Sequence, residues 1–422
     1  MDIFVYIDAY NLVEKPLLIG VLSATQVRGK EIFSFSADEK WLSNTSLSYL
    51  DADLQPYRGK QYVAQNKNNF GLFLDSCPDR WGRVLMQRRE RLRAKETNDD
   101  VKKLQESDYL LGVYDGNRMG ALRFKTSIDG PFLDDNETLA TPPITSLRAL
   151  EQASWEYEKE DSEDAKGYRQ WLKMLCFPGS SLGGARPKAN VLDGKGNLWI
   201  AKFPSKHDNF DVGAWEFLVT SMARDFGLCV PQIEAKIFSS RYHTFMTKRF
   251  DRVGQNRLHF ASAMTLLGYV DGNDANDDIS YLELSDFLQR FGGIRQQEDL
   301  YELWKRVLFN VAVSNCDDHL RNHGFILTPK GWTLSPVYDL TPSPNGRGLK
   351  LNIDEADNAL SVDLVLSTAS FYGIDDKEAK KQVDFLKSII DTWKERANRM
   401  NVSKQEQSMM ENSFRPLFCN TY

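Results

Sequence analysis

Residues 314–340, SNCDDHLRNHGFILTPKGWTLSPVYDL, constrain the fold of this chain more than any other stretch. Asp317 and Asn322 stand five positions apart in an Asp-x-x-x-x-Asn pattern, and Asn322 leads into the apolar segment GFIL. After a Pro-Lys-Gly turn, a second strand-like segment, WTLSPVY, ends at Asp339. The pattern predicts a polar loop, then a hairpin of two short strands, then a second acidic residue.

These side chains suit phosphoryl transfer. That reaction requires a carboxylate that orients and deprotonates the attacking hydroxyl, together with oxygen ligands that hold Mg²⁺ against the phosphates. Asp317 is the candidate base, and Asn322 and Asp339 are the candidate Mg²⁺ ligands. The spacing of Asp317 and Asn322 equals that of the catalytic Asp and metal-binding Asn in protein-kinase loops, and Asp339 falls where the Asp of Asp-Phe-Gly lies.

The same segment allows two other interpretations. Cys316, His319 and His323 are spaced like part of a zinc site, although no second Cys or His pair follows at the usual spacing. Alternatively, the segment is a polar turn between a helix and a strand, for which its composition is ordinary.

Composition sets wide bounds. A length of 422 residues predicts two or three domains, and a hydrophobic content of 41% predicts a folded chain. The net charge of −6 argues against chain-wide attraction to nucleic acid or anionic membranes. The five scattered cysteines favour a reducing compartment, and no apolar run approaches the ~20 residues that span a bilayer. We therefore expect a cytoplasmic protein without a membrane segment.

Residues 1–126 predict a β-rich N-terminal domain. Strands are indicated at IFVYI, LLIGVLS and EIFSFSADEKWL, and a helix is indicated at VLMQRRERLRA. A strand pair over Asp108 to Phe124, with Gly116-Asn117 as its turn, is expected to close the domain. Residues 127–165 include the acid-rich run EQASWEYEKEDSED and are expected to form a connector, a solvated helix or linker.

The segment from Arg80 to Lys103 is the clearest basic patch, with nine Lys or Arg against four acids. A solvated helical face is one interpretation. The other is a contact with an acidic partner, or with DNA phosphates that a partner brings near.

Residues 166–252 predict a lobe with a Gly-rich loop. The loop lies in GSSLGGARPKANVL, where Lys188 follows the glycines and the backbone N–H groups are suited to phosphate oxygens. It lacks the Walker A pattern. Lys202 lies in the next predicted strand and Glu216 in a helix that Asp211 begins, which matches the Lys–Glu pair of protein kinases.

Residues 253–422 predict a helical C-terminal lobe. The segment YELWKRVLFNVAVSN carries an apolar stripe typical of a buried helix, and it leads directly to Asp317. Beyond Asp339, Thr-Pro-Ser-Pro indicates either a short activation loop or a plain loop. The remainder, from about Ser361, is predicted to be largely helical.

Taken together, these segments resemble the HipA family of bacterial serine/threonine protein kinases, which act as toxins of toxin–antitoxin pairs. The resemblance covers nearly the whole chain and is carried, in order, by FLDSCPDRWGR, LLGVYDGNRMGALRF, SLGGARPK, KRFDR, DDHLRN and SPVYDL. It implies an α+β fold, in which a β-rich N-terminal domain precedes a bilobed protein-kinase-like catalytic domain with a helical C-terminal lobe.

The resemblance also implies residue roles. Ser181 matches an autophosphorylation serine, whose modification ejects the Gly-rich loop and disables ATP binding. Asp317 would be the catalytic base, and Asn322 and Asp339 would hold Mg²⁺. KRFDR lies where a hinge against adenine belongs. The residues expected around ATP are Ser181, Gly183, Gly184, Lys188, Lys202, Glu216, Phe250, His319 and Tyr338.

The function implied is an ATP- and Mg²⁺-dependent serine/threonine protein kinase that acts on a protein such as an aminoacyl-tRNA synthetase. A small helix-turn-helix antitoxin, similar to HipB, would neutralise it and connect it to DNA, with the basic helix 80–103 as a candidate contact. Two alternatives stay open: a small-molecule phosphotransferase with the same loop, and an inactive co-repressor that only holds an antitoxin on its operator.

Overall fold

The computed structural model describes residues 1–44, 47, 49–64, 66–134, 141–159, 167, 174–175, 184 and 186–414. The chain divides into two compact units. Unit 1 contains Met1–His207 and Ile237–Ala261, and unit 2 contains Asp208–Lys236 and the chain from Ser262 onward. The predicted N-terminal domain, connector and most of the N-lobe therefore fall in unit 1, and their separation into distinct domains stays a prediction.

The chain combines helices and strands, as predicted. The strands are β1 Asp2–Ile7, β2 Leu17–Val27, β3 Lys30–Ala37, β4 Lys60–Tyr62, β5 Leu122–Lys125, β6 Lys188–Leu192, β7 Leu198–Lys202, β8 Ile233–Lys236, β9 Thr244–Lys248, β10 Arg252–Val253, β11 Asn256–Arg257, β12 Phe260–Ser262, β13 Gly324–Thr328 and β14 Gly331–Leu334. The α-helices are α1 Glu39–Leu42, α2 Gly71–Leu74, α3 Arg80–Thr97, α4 Glu106–Leu111, α5 Leu147–Tyr157, α6 Val212–Asp225, α7 Ala263–Leu267, α8 Tyr281–Phe291, α9 Gln296–Ala312, α10 Val362–Ser367, α11 Asp376–Ile390, α12 Trp393–Arg399 and α13 Lys404–Met410.

The N-terminal part of unit 1 is built on a five-stranded sheet in the order β4-β3-β2-β1-β5. Alternate residues of β1, namely Ile3, Val5 and Ile7, are fully buried, because successive side chains of a strand point to opposite faces. Arg28 and Gly29 join β2 to β3 with positive φ angles of 51° and 79°, the conformation of a two-residue hairpin turn. The strands predicted at IFVYI and LLIGVLS are confirmed.

Two predictions for the same region are wrong. The strand pair expected over residues 108–124 does not form, because DYLL belongs to helix α4 and only β5 is a strand. The Asp108 carboxylate accepts from the Gln105 N–H at 2.9 Å and closes a capping box that begins this helix. Residues 115–117 form a 3-10 turn. EKWL is also helical, since the Asp38 side chain caps α1.

The described part of the acid-rich run is largely a helix, one of the two expected forms, but the helix is partly buried and not solvated all round. Residues 147–157 form α5, and Glu151 in this helix is 1% exposed. Its carboxylate accepts from the backbone N–H groups of Ser239 and Ser240 at 2.9 and 2.8 Å and from the Thr244 hydroxyl at 2.5 Å. The helix has an apolar face that packs into the core, and composition alone did not reveal it.

A second sheet of unit 1 pairs β6, β7 and β9 in antiparallel order. Its buried side chains form one core with apolar residues of α3 and α5. Trp81 and Leu85 come from α3, and Leu150 and Tyr157 come from α5. The N-terminal helices are therefore part of the same hydrophobic core as the sheet that carries Lys188 and Lys202.

Unit 2 is largely helical. Its helix α9 is buried over most of its length. The Asp211 side chain caps α6 by accepting from the Ala214 N–H at 3.0 Å, as predicted. The hairpin β13–β14 follows the predicted loop, but its second strand ends at Leu334 and does not continue to Tyr338. Pro336 explains the early end, because proline has no N–H to donate to a strand ladder. None of the described helices is both long and apolar enough to cross a bilayer.

Candidate active site

The loop from Val313 to His323, called the Asp317 loop below, is delivered by the C-terminal end of α9. Leu303, Val307 and Leu308 of this helix are at most 1% exposed, which confirms the predicted apolar stripe and fixes the base of the loop. The helix ends with the Asn315 N–H on the Asn310 carbonyl at 2.8 Å. The loop therefore begins from a rigid, buried element.

Asn322 and Asp317 are brought together within this loop. The Asn322 Nδ2 donates to the Asp317 backbone carbonyl at 2.7 Å, and because a carbonyl can only accept, the amide oxygen points the other way. Among the residues that the structure describes, this buried Oδ1 has no hydrogen-bond partner. The Asp317 side chain is exposed. The loop thus presents a carboxylate and an oriented amide oxygen.

A free amide oxygen of this kind fits Mg²⁺. Mg²⁺ takes oxygen ligands, usually one or two from protein side chains together with waters and substrate phosphates. Within the described part of the chain, no three His, Cys, Asp or Glu side chains are grouped to hold a metal. This finding gives no support to the zinc interpretation of Cys316, His319 and His323. It leaves room for a site in which Asn322 and one acid bind Mg²⁺ with a nucleotide.

Asp318, next to the exposed Asp317, is buried and anchors the loop. Its carboxylate accepts from the Tyr281 hydroxyl at 2.5 Å and from the Lys350 N–H at 2.7 Å. Burial raises the pKa of Asp318 to about 6, against the lowering effect of these two hydrogen bonds. Asn310 of α9 donates to the Tyr281 hydroxyl at 3.0 Å, so the network joins α8, α9 and the loop.

His323 is the last residue of the Asp317 loop, and its side chain is buried. Its Nε2 lies 3.0 Å from the Asp318 carbonyl, and its ring packs edge-on against Tyr281. Burial lowers the pKa of His323 to about 3, so the ring is neutral at physiological pH. Burial likewise raises the pKa of Cys316 to about 11, which keeps this thiol protonated. Both pKa shifts follow from burial, which disfavours the charged form of each group.

Tyr338 and Asp339 follow the hairpin. The Tyr338 hydroxyl donates to the Arg321 carbonyl at 2.7 Å, which ties this segment to the Asp317 loop. Both Asn322 and Tyr338 line the same small pocket of unit 2. Asp339 is half-buried and has a φ of +60°, a left-handed conformation that is uncommon for non-glycine residues. Such strain is frequent at ligand-binding positions.

In unit 1, Lys188 and Lys202 are direct partners in the antiparallel pair β6–β7. Opposite residues of such a pair share one face, so the two side chains are neighbours. They are 6% and 9% exposed. The Lys188 ammonium forms an ion pair with Asp79 at 2.7 Å, and Lys202 lies over the Phe245 ring at 5.7 Å from its centroid. Two buried ammonium groups thus belong to opposite residues of this strand pair, and Asp79 binds that of Lys188.

The other candidate residues lie as follows. Glu216 is a buried residue of α6, His319 is a half-buried residue of the Asp317 loop, and Phe250 packs against Phe260 with ring centroids 5.9 Å apart. Gly184 has a φ of +62°, which favours glycine. Ser181 and Gly183 lie outside the described residues. The roles of all these residues stay predictions.

The KRFDR segment has a structural role that its sequence pattern does not indicate. Arg249 and Asp251 form a buried ion pair, with an Arg249 Nη2 to Asp251 Oδ2 distance of 2.6 Å. Arg249 also donates to the Asn117 and Arg118 carbonyls, and the Gly120 N–H donates to Asp251 at 2.8 Å. The motif LLGVYDGNRMGALRF therefore holds KRFDR through hydrogen bonds inside unit 1.

Much of the basic helix is also engaged internally. Arg83 makes a two-pronged ion pair with Glu106, and Arg93 pairs with Glu90 and Asp99. The Arg88 guanidinium carbon lies 4.2 Å from the centroid of the Tyr157 ring, and Arg88 Nη1 donates to the Tyr157 backbone carbonyl at 3.1 Å. The charge available to an outside partner is accordingly smaller than the count of basic residues indicates.

Comparison with known proteins gives a consistent result. A family model described as HipA-like C-terminal domain matches residues 180–401. The serine/threonine-protein kinase toxin HipA of Shewanella oneidensis is 26% identical over 193 residues, 39% of this chain and 43% of that protein. The putative kinase Y4dM of Sinorhizobium fredii is 26% identical over 181 residues, 40% of this chain and 42% of that protein. The matches thus span about two fifths of each curated relative.

The fold is similar to that of Shewanella oneidensis MR-1 HipA, solved with HipB and its operator DNA. The TM-score is 0.62 at 18% sequence identity, and the match covers 95% of this chain and 94% of that one. This likeness confirms the predicted α+β class, a kinase-like fold with a β-rich N-terminal region. Because the family model accounts for just over half of its residues, this chain belongs to the HipA family.

Proposed function

We propose that this protein is an ATP- and Mg²⁺-dependent serine/threonine protein kinase. The observation that carries the proposal is the geometry of the Asp317 loop. An exposed carboxylate stands beside an amide whose N–H is fixed on the loop backbone and whose buried oxygen has no hydrogen-bond partner among the described residues. The catalytic loops of protein kinases carry a base and a metal-binding Asn at this spacing.

The proposed roles follow from these contacts. Asp317 accepts the proton of the substrate hydroxyl, a contribution of typically ~10²–10⁴ in rate. Asn322 Oδ1 and Asp339 hold Mg²⁺, which when bound neutralises charge on the phosphates. Lys202 holds the phosphates from strand β7, with Glu216 as its proposed orienting partner, and Lys188 stands beside it. Phe250, His319, Tyr338 and the Gly-rich loop with Gly183 and Gly184 complete the proposed ATP site.

We further propose that Ser181 is autophosphorylated, and that the substrate is a protein, with an aminoacyl-tRNA synthetase as the candidate class. A small helix-turn-helix antitoxin similar to HipB is the proposed partner, and DNA is the proposed contact through it. Support comes from the family membership and from the names of the relatives, one of which was solved with HipB and operator DNA.

The test is transfer of labelled phosphate from ATP in the presence of Mg²⁺. Asp317→Asn removes the base without a change of volume, so we expect label incorporation to fall by at least roughly 10²-fold while the fold is kept. Asp384→Asn changes an exposed carboxylate of α11 in the same unit and should retain the parent rate. Equal labelling by the parent and Asp317→Asn would remove Asp317 as the base.

The same assay tests the autophosphorylation site and the alternatives. Ser181→Ala should lose most of the self-labelling, and equal labelling would show that another residue is modified. Transfer to a metabolite and to no protein would instead favour the small-molecule phosphotransferase. Antitoxin binding with no ATP turnover would favour the inactive co-repressor.

A further inference from the structure

Asp79 belongs to the segment FLDSCPDRWGR, which has no role in the reaction proposed above. Both oxygens of its carboxylate accept hydrogen bonds. Its Oδ1 accepts from the Gly82 N–H at 2.8 Å and caps α3, and its Oδ2 accepts from the Lys188 ammonium at 2.7 Å. The ion pair is nearly inaccessible, with 5% of the Lys188 side chain and 6% of the Asp79 side chain exposed. The hydrogen bond from the Gly82 N–H restrains the rotation of the Asp79 side chain, so α3 holds the carboxylate in place.

Lys188 is held on its other sides too. The Trp81 indole N–H donates to the Lys188 carbonyl at 3.1 Å, and the Lys188 ammonium also donates to the Gly184 carbonyl at 3.4 Å. Contacts from the first turn of α3 therefore fix both the backbone and the side chain of Lys188. The contact with Gly184 extends this hold to the end of the Gly-rich loop.

The partner of Lys188 across the strand pair is Lys202. Two ammonium groups on opposite residues of one buried face repel each other, since like charges in such positions are destabilising and screening is weak away from water. A carboxylate on one of them relieves the repulsion. Asp79 is a carboxylate that the structure places there, and it forms an ion pair with Lys188.

We propose that Asp79 is a positioning residue of the phosphate site, which neutralises Lys188 so that the charge of Lys202 is directed at the nucleotide. The inference rests on the proposed function, because it takes Lys202 as the phosphate-binding lysine. It gives the N-terminal part of unit 1 an indirect part in nucleotide binding, through Lys188. Asp79 itself touches neither nucleotide nor substrate.

The test compares two single variants with their combination. Asp79→Asn keeps a capping oxygen for α3 but leaves Lys188 as a buried charge beside Lys202. Lys188→Met leaves Asp79 as a buried anion that draws Lys202 away from the phosphates. Each should weaken Mg–ATP binding by roughly tenfold or more, given the strength of charge interactions at this separation. The double variant removes both charges and should bind Mg–ATP more tightly than either single variant.

Binding of Mg–ATP to the full chain is measured by isothermal titration calorimetry, and thermal melting verifies folding. Asp79→Ser, whose hydroxyl also caps a helix, replaces Asp79→Asn in the cycle if the latter does not fold. Asp375→Asn, which alters the N-cap of α11, is the matched control for capping and should bind Mg–ATP like the parent. If the ion pair were merely structural, the Mg–ATP affinity of each variant would follow its melting temperature, because the loss of one partner of a buried pair lowers stability and the loss of both restores it.

The outcomes separate the two claims. A parent chain that binds no Mg–ATP would overturn the proposed function, and this inference with it. A parent that binds, together with a double variant no better than the weaker single variant, would overturn the role of Asp79 alone. Recovery of Mg–ATP affinity in the double variant, compared with single variants that are folded at the temperature of the titration, would support the inference, because affinity then follows the charge beside Lys202 and not the stability of the fold.

Discussion

At the scale of single residues, two adjacent aspartates of the Asp317 loop have opposite environments. Asp317 is exposed, whereas Asp318 is 1% exposed and accepts from the Tyr281 hydroxyl and the Lys350 N–H. One carboxylate is free for chemistry and the other holds the loop in shape. Asn322, the proposed metal ligand, is oriented by a hydrogen bond to the backbone carbonyl of Asp317.

A buried aspartate in unit 1 gives a prediction about pH and stability. Asp51 is fully buried and accepts from the Leu72 and Asp53 N–H groups at 2.7 and 2.8 Å. Burial raises its pKa to about 7, although these hydrogen bonds oppose the rise. The folded state thus binds the proton more tightly than the unfolded state, so the stability from this group is full below about pH 4 and is lost as the pH rises through 7.

Asp51→Asn removes this titration. We expect the free energy of unfolding of the variant, relative to the parent, to improve by on the order of 2–4 kcal/mol between pH 4 and pH 8. The variant also loses an acceptor and is less stable than the parent at low pH. Urea unfolding followed by tryptophan fluorescence at several pH values measures the difference. A difference that stays constant from pH 4 to 8 would contradict the assigned burial effect.

Sequence patterns identified residues of the site where the signal was local. The Asn322 side chain donates to the Asp317 backbone carbonyl, and the sequence itself shows the spacing of five positions between these two residues. Tyr281 is 37 positions from Asp318, and Asp79 is 109 positions from Lys188. No local periodicity or spacing reports such a pairing, because tertiary folding creates it. The motif FLDSCPDRWGR is evident in the sequence, but its pattern does not predict that Asp79 pairs with Lys188.

At the scale of elements, helix α9 supports the Asp317 loop. It is anchored along its length, since the Trp304 indole donates to the Val365 carbonyl at 3.0 Å and the Lys305 ammonium to the Phe226 carbonyl at 2.6 Å. Its last turn leads directly into the loop. Displacement of this helix should therefore move Asp317 and Asn322 together.

Leu308→Ala tests the support that α9 provides. Leu308 is fully buried, and the loss of its side chain leaves a cavity, so we expect the free energy of unfolding to fall by ~2–5 kcal/mol. Gln297→Ala, at an exposed position of the same helix, should change it by no more than ~0.5 kcal/mol. Urea unfolding measures both. Equal effects of the two substitutions would contradict the buried position of this face.

The elements that sequence analysis misassigned share a physical cause. DYLL has the composition of a strand, but the capping box of Gln105 and Asp108 begins a helix there. The acid-rich run has the composition of a linker, but α5 buries one face of it. In both cases tertiary packing and end effects override local composition. Long periodic segments such as α3 and α9 were predicted correctly because their own pattern suffices.

At the scale of the whole molecule, the family assignment and the fold are consistent. The chain belongs to the HipA family, and its fold is similar to that of a HipA solved with HipB and operator DNA. The account of function makes one further demand. Residues from 202 to 339, far apart in the chain and distributed over both compact units, must act on a single nucleotide.

A crystal structure of the full chain with Mg²⁺ and a non-hydrolysable ATP analogue tests this demand most directly. We expect Asn322 Oδ1 and an Asp339 carboxylate oxygen to lie about 2.0–2.1 Å from Mg²⁺, as Mg²⁺ coordination requires. The Lys202 ammonium should lie within hydrogen-bond distance of a phosphate oxygen, at about 2.7–2.9 Å. A bound nucleotide whose phosphates contact none of these side chains would contradict the account.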